Sequence, residues 1–301
     1  MEKIKIKEIF KDCGRLIWAN PFTWFLGLFA ALFVNNEINL IIINFKKINN
    51  WINQLIFLNS FQLKVSDLFK NFLVNLNFKE NPFLIVYIFI ALCFFYLAFR
   101  SQIALIIFLK NKKYSFKKIW RKSTSYIFPV FLIYFFSLII LYGFLFLLSF
   151  PFFQNLPLPI LFYIIIFIFL ILFVSLISRF TVISLILEKK NILKAIKSSL
   201  FFLIHNFLII IKTIIYINLI IIILGIIFFI VSLGILFPVL FLINLFLNIN
   251  FIFGFWLITS LATLFIICLL LFTGSLFSAW QIMIWAMIFK KTKKNNLLIT
   301  S

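Results

Sequence analysis

Two arginines stand inside otherwise apolar runs, Arg100 in "AFRSQIALIIFLKNKK" (98–113) and Arg179 in "LISRFTVISLILEKK" (176–190). Each lies ten positions ahead of a lysine, Lys110 and Lys189, and the chain has only four arginines in all. A guanidinium so placed has two roles open to it. It marks depth, sitting at the hydrocarbon boundary and snorkelling to lipid phosphates. Alternatively, the pair forms inward-facing forks that hold a phosphate-bearing lipid or solute through bidentate hydrogen bonds. Arg100, Arg179, Lys110 and Lys189 are therefore the candidate lipid- or phosphate-binding residues.

Other chemistry is sparse. There is one histidine, His205, and there are seven carboxylates: Glu2, Glu8, Asp12, Glu37, Asp67, Glu80 and Glu188. No two carboxylates make a recognisable metal-ligand pair, and the sequence has no glycine-rich phosphate loop, G-x-S-x-G or H-x-x-x-H. Cys13, Cys93 and Cys268 lie far apart and read as small hydrophobes, with neither a disulfide framework nor metal spacing. His205 with Asn206 reads as an interfacial polar pair at a span entrance. The expectation is a non-enzymatic protein without catalytic residues, metal or cofactor. Ion-coupled transport also lacks its usual parts, since no carboxylate lies deep in an apolar run and the prolines fall at ends or connections.

The elements that carry these residues follow from hydropathy. The chain has 301 residues, 65% hydrophobic and 12% charged, with mean hydropathy +1.22. Several apolar runs exceed the roughly 20 residues that cross a bilayer as a helix. The expected fold is all-α integral membrane, a single membrane domain over 1–301 with six spans near 16–34, 82–109, 127–150, 157–187, 205–232 and 254–289. The N-terminal run is expected to be an uncleaved first span. The net charge of +21 is spread as short lysine and arginine clusters between spans, which is the positive-inside pattern and not a nucleic-acid surface. The clusters put both termini in the cytoplasm of a multi-pass cell-membrane protein. The uncharged stretch 235–253 is read as a buried or re-entrant outer connection, the alternative being an extra span. Helical spacing over about 46–78 predicts two outer interfacial helices, a lid over the bundle or over an entry site.

The spans sort into three hook-plus-hairpin repeats, about 1–113, 114–190 and 191–294. Each begins with an amphipathic hook: "IKEIFKDC" from Ile6, "FKKIWRKS" from Phe116 and "ILKAIKSS" from Ile192. Aligned without gaps, Phe10, Trp120 and Ile196 coincide, and Ser115 and Asn191 stand where helix N-caps belong. In the third unit Gln281 aligns with Gln102, and Ala279 replaces Arg100. The apolar turns Ile103–Leu109 beyond Arg100 need cover, and the hooks offer a matching stripe. Gly274 with Ser278, and Ser275 with Ala279, are small-xxx-small pairs and the candidate helix-packing residues, within the bundle or toward a partner chain.

The run "SRFTVISLILEKKNILKAIKSSLFFLIHNF", together with "WANPFTW" at 18–24, resembles the glycerophosphodiester phosphodiesterase membrane-domain family. Glu188, Ala195, Ser198 or Ser199, and Asn206 carry the likeness. The resemblance implies an association with lipid metabolism but not the family's catalytic activity, since nothing in this sequence supplies it. The expected partners are membrane phospholipids of the anionic inner leaflet, with the function being phospholipid handling or membrane organisation. The alternative is a permease, or the membrane subunit of an energy-coupled transporter with an ATPase partner chain.

Overall fold

The computed structural model describes residues 6–34, 83–112, 114–148, 160–248 and 252–297. The expected outer helices at 46–78 and the connection at 149–159 lie outside these residues. Among the described residues every regular element is a helix. Three short helices match the hooks: α1 (Ile6–Trp18), α4 (Phe116–Ser123) and α7 (Ile192–His205). Six further helices follow the apolar runs: α2 (Phe22–Val34), α3 (Phe83–Lys110), α5 (Ile127–Leu148), α6 (Ile160–Glu188), α8 (Phe207–Asn248) and α9 (Ile252–Leu297). Among the described residues five segments, carried by α3, α4–α5, α6, α8 and α9, are long and apolar enough to cross a membrane. The chain is thus of the all-α membrane class.

Two boundaries differ from the sequence expectation. The first span was expected from residue 16, but α1 runs to Trp18 and α2 starts only at Phe22. Pro21 supplies no amide to continue α1, and the "WANPFTW" side chains serve the carbonyls at the break. Asn20 Nδ2 donates to Leu16 O at 2.7 Å, Thr23 Oγ1 to Asn20 O at 2.8 Å, and Trp24 Nε1 to Ile17 O at 3.0 Å. The second difference concerns 235–253. Residues 235–248 are neither a buried connection nor a separate span; they continue α8 through Pro238 and are largely exposed along 233–242. Almost every side chain there favours helix in an apolar medium, and one proline is tolerated within such a run.

The core is built where α3, α6 and α9 converge. Each packs against the other two, and their buried stretches fall near their C-terminal ends: 101–109, 180–186 and 281–289. Toward their N-terminal ends the same helices present exposed apolar side chains, as over 88–96 on α3. The hooks cover the core from outside. α4 lies on α3, α7 on α6 and α1 on α9, with Ile119, Ala195, Ile9 and Cys13 fully buried at these contacts. Ile103–Leu109, the turns that needed cover, are all buried. α2 packs between α3 and α9, and α5 between α3 and α6.

α2 and α9 approach closely at Gly27. Ser275 Oγ donates to Trp24 O, and a Cβ added at Gly27 would drive into the Ser275 carbonyl and lie 3.0 Å from Ala279 Cβ. Ser275, Ser278 and Ala279 are buried, whereas a Cβ at Gly274 would meet nothing within 4 Å. Gly27→Leu is therefore expected to lower stability by about 2 kcal/mol or more through overpacking. Gly274→Ala is expected to be neutral or to stabilise by up to about 1 kcal/mol through helix propensity. Thermal unfolding of the two variants in the same detergent checks the contrast.

Candidate functional site

The four cationic candidates do not gather in one place. Arg100 faces the hook that lies on its own helix. Its Nη2 donates to Trp120 O at 3.1 Å, Nη1 to Tyr96 Oη at 3.1 Å and Nε to Ser123 Oγ at 3.4 Å, and the guanidinium stacks 4.1 Å from the Trp120 ring. Donors and planar face are thus both engaged within the chain, joining α3 to α4. Arg179 instead faces α9, with its guanidinium 5.5 Å from the Trp285 ring.

Arg179 shares a small cavity with Gln102, Gln281 and Trp285, walled by Ile106, Ile183 and Ile282. The two aligned glutamines therefore meet at the junction of α3, α6 and α9. Gln102 Nε2 donates to Tyr134 Oη at 2.6 Å. Gln102 Oε1, Gln281 Oε1 and Trp285 Nε1 are buried without a hydrogen-bond partner among the described residues. The cavity volume is about 10 Å³, about the size of one water molecule. A substrate of several heavy atoms does not fit it.

Nearer the basic ends of the same helices, Glu188 is a hub that the search for paired carboxylates overlooked. Its Oε1 accepts from Lys293, and its Oε2 from Ser184 Oγ at 2.7 Å, Lys190 Nζ at 2.9 Å and Ser198 Oγ at 3.2 Å. One carboxylate thus joins the ends of α6 and α9 and the side of α7. Lys110 adds the end of α3, since its ammonium donates to the carbonyls of Ile186 and Leu187. These are unsatisfied acceptors of the last turn of α6, where a cation is also favoured by the helix dipole. Lys189 follows with φ 53°, the left-handed turn that commonly ends a helix and that a lysine adopts only at some cost. The signal for the hub was a lone carboxylate at a span end, flanked by lysines on both sides of the turn.

The residues of the family resemblance also sit at joins. Ala195 and Ser199 are fully buried against α6, with Ser199 Oγ 2.8 Å from Thr181 Oγ1. Asn206 Nδ2 donates to Phe202 O at 3.0 Å where α7 meets α8. Ser115 and Asn191 precede α4 and α7 in extended conformation, but their side chains make no capping hydrogen bond. His205 is exposed and stacks 3.8 Å from the Phe201 ring. Comparison with protein-family models, curated proteins and solved structures finds no match to this chain.

Two outcomes follow from the hub and from the α1–α9 contact. Glu188→Gln leaves Lys293 and Lys190 without their counter-charge and is expected to cost about 1–3 kcal/mol, discounted for their partial exposure. Lys293→Met in the same background is expected to recover part of that loss, as read by a double-mutant cycle of unfolding midpoints. Cys13 is buried 3.9 Å from Met287 Sδ. Burial, reinforced by the charge of Asp12, pushes its thiol up to about 12. At pH 8 only about one thiol in ten thousand is then ionised. Maleimide labelling of Cys13 in the folded protein is expected to be negligible at that pH and to appear on unfolding.

Proposed function

We propose that this chain is a non-enzymatic, six-span protein of a bacterial cell membrane, built from three hook-plus-hairpin units with both ends in the cytoplasm. Its role is to bind and organise anionic phospholipid of the inner leaflet. The observation that carries this reading is the meeting of the basic chain segments at one end of the helices. Lys110 reaches the end of α6, Lys293 reaches Glu188, and Lys291 lies 3.5 Å from Asp12 on the first hook. The ends of α3, α6 and α9 and the N-terminal hook thus share one side, and that side carries the lysines. A bilayer with an anionic leaflet matches such a surface, with each near-surface cation contributing about 1 kcal/mol.

The order of the hooks supports the three-unit description. Each hook rests on the last helix of the unit before it, and the first closes on the last helix of the third. The likeness to the glycerophosphodiester phosphodiesterase membrane-domain family supports the lipid association. Arg100 serves as anchor and interhelical tie, its donors being engaged by Trp120, Tyr96 and Ser123. Arg179 contributes to the helix junction, since its cavity is too small for a headgroup.

Single cysteines at Lys112 and Lys194, in a background lacking Cys13, Cys93 and Cys268, test the orientation. Both are expected to resist a membrane-impermeant maleimide in intact cells and to react once the membrane is opened. Labelling of either site from outside sinks the reading. Co-purification of an ATPase chain with no retained phospholipid would instead favour the permease.

A further inference from the structure

A groove opens beside the turn between α6 and α7, of about 540 Å³, within the usual range for small-ligand pockets. Its polar lining comes from Lys189, Lys190, Asn191 and Lys194 on one side and from Ser125 and Tyr126 at the entrance to α5 on the other. Lys190 is committed to Glu188. Lys189 and Lys194 are exposed and have no acidic partner among the described residues. Among the described residues the groove therefore keeps two positive charges without an acidic partner. Of the four cationic candidates, Lys189 lines this groove.

The remaining lining is apolar. Pro129, Leu185 and Ile192 form walls, and Leu193, 80% exposed, stands at the edge. Next to Pro129, Phe128 is 68% exposed. A free phosphate would use the lysines and leave these side chains bare. A phospholipid covers both, its phosphate between Lys189 and Lys194 and its glycerol and upper acyl carbons along the apolar edge. The Tyr126 and Ser125 hydroxyls offer hydrogen bonds to ester or headgroup oxygens. Lys189 holds the left-handed conformation that closes the α6–α7 turn, so the backbone roots one of the two cations beside the groove.

We infer that this groove is a discrete binding site for the headgroup of one anionic phospholipid of the leaflet on the basic side, with Lys189 and Lys194 as its phosphate ligands. The inference rests on the lipid reading above and assigns it a place.

The test is a native mass-spectrometric titration of the full chain in mild detergent with phosphatidylglycerol. The wild type is compared with Lys189→Asn/Lys194→Gln, in which asparagine preserves the left-handed turn. The control is Lys117→Gln/Lys118→Gln, which removes the same charge from exposed positions on α4. The groove variant is expected to bind about 30-fold more weakly, the equivalent of two near-surface cations at about 1 kcal/mol each, while the control stays within about threefold of wild type. Equal losses in the two variants would overturn the site and leave a diffuse basic belt. Binding unchanged in both would overturn the site while the lipid reading stands. No lipid bound by the wild type would overturn both. Displacement of the lipid by millimolar inorganic phosphate would assign the groove to a soluble anion and overturn the lipid source. Unchanged unfolding midpoints confirm that the variants are folded.

Discussion

A helix that turns sharply inside or beside a bilayer frees backbone carbonyls, and hydrocarbon offers them nothing in return. This constraint governs each place where a hook gives way to a longer helix. At the first, Asn20 returns its amide to Leu16 O and Trp24 returns its indole N–H to Ile17 O. At the third, Asn206 does the same for Phe202 O. At the second, a short 3₁₀ turn at Thr124–Tyr126 replaces the asparagine, and Ser123, Thr124 and Ser125 each bond a carbonyl three residues back. Different side chains meet the same demand, and each lets a hook leave its long helix and lie on a neighbour.

From that arrangement the polar groups acquire an order along the helices. Arg100 and Arg179 lie on the far side of the buried core from the lysine turns. Gln102 and Gln281 follow at the junction, then a dry layer including Leu105, Phe108, Ile186 and Ile288, and finally the Glu188 hub with Lys110 at the basic end. Charge is thus kept at the margins of the core and neutralised or hydrogen-bonded where it enters. The apolar layer between is buried, whereas the remainder of the long helices shows the exposed leucine, isoleucine and phenylalanine suited to lipid.

Much of this was legible from residue order. Lysine turns and apolar runs located α3, α5 and α6 to within a few residues, and hook periodicity gave α4 and α7 their starts. What sequence did not reveal was helix phase. Arg100 and Arg179 have identical spacing to their lysines, yet one lies against a hook and the other toward the core. The difference lies in their neighbours: the hook on α3 offers Trp120, and the hook on α6 offers Ile196 at the aligned position. A guanidinium stacks on the first and finds no such surface on the second; Trp285 of α9 provides it instead. The continuation of α8 through 235–248 was hidden for another reason. An uncharged apolar run has the same composition whether it crosses, turns back or simply extends.

The seating of α1 on α9 bears on how the protein is made. α1 has its binding surface on α9, which is translated much later, with Cys13 against Met287 and Trp280 donating to Phe10 O at 3.2 Å. Until some 270 residues have followed, the apolar stripe of α1 has no permanent home, and α2 lacks the Ser275 side of its groove. Closure of this seam therefore waits for α9, and the nascent chain holds it open while the intervening helices are translated.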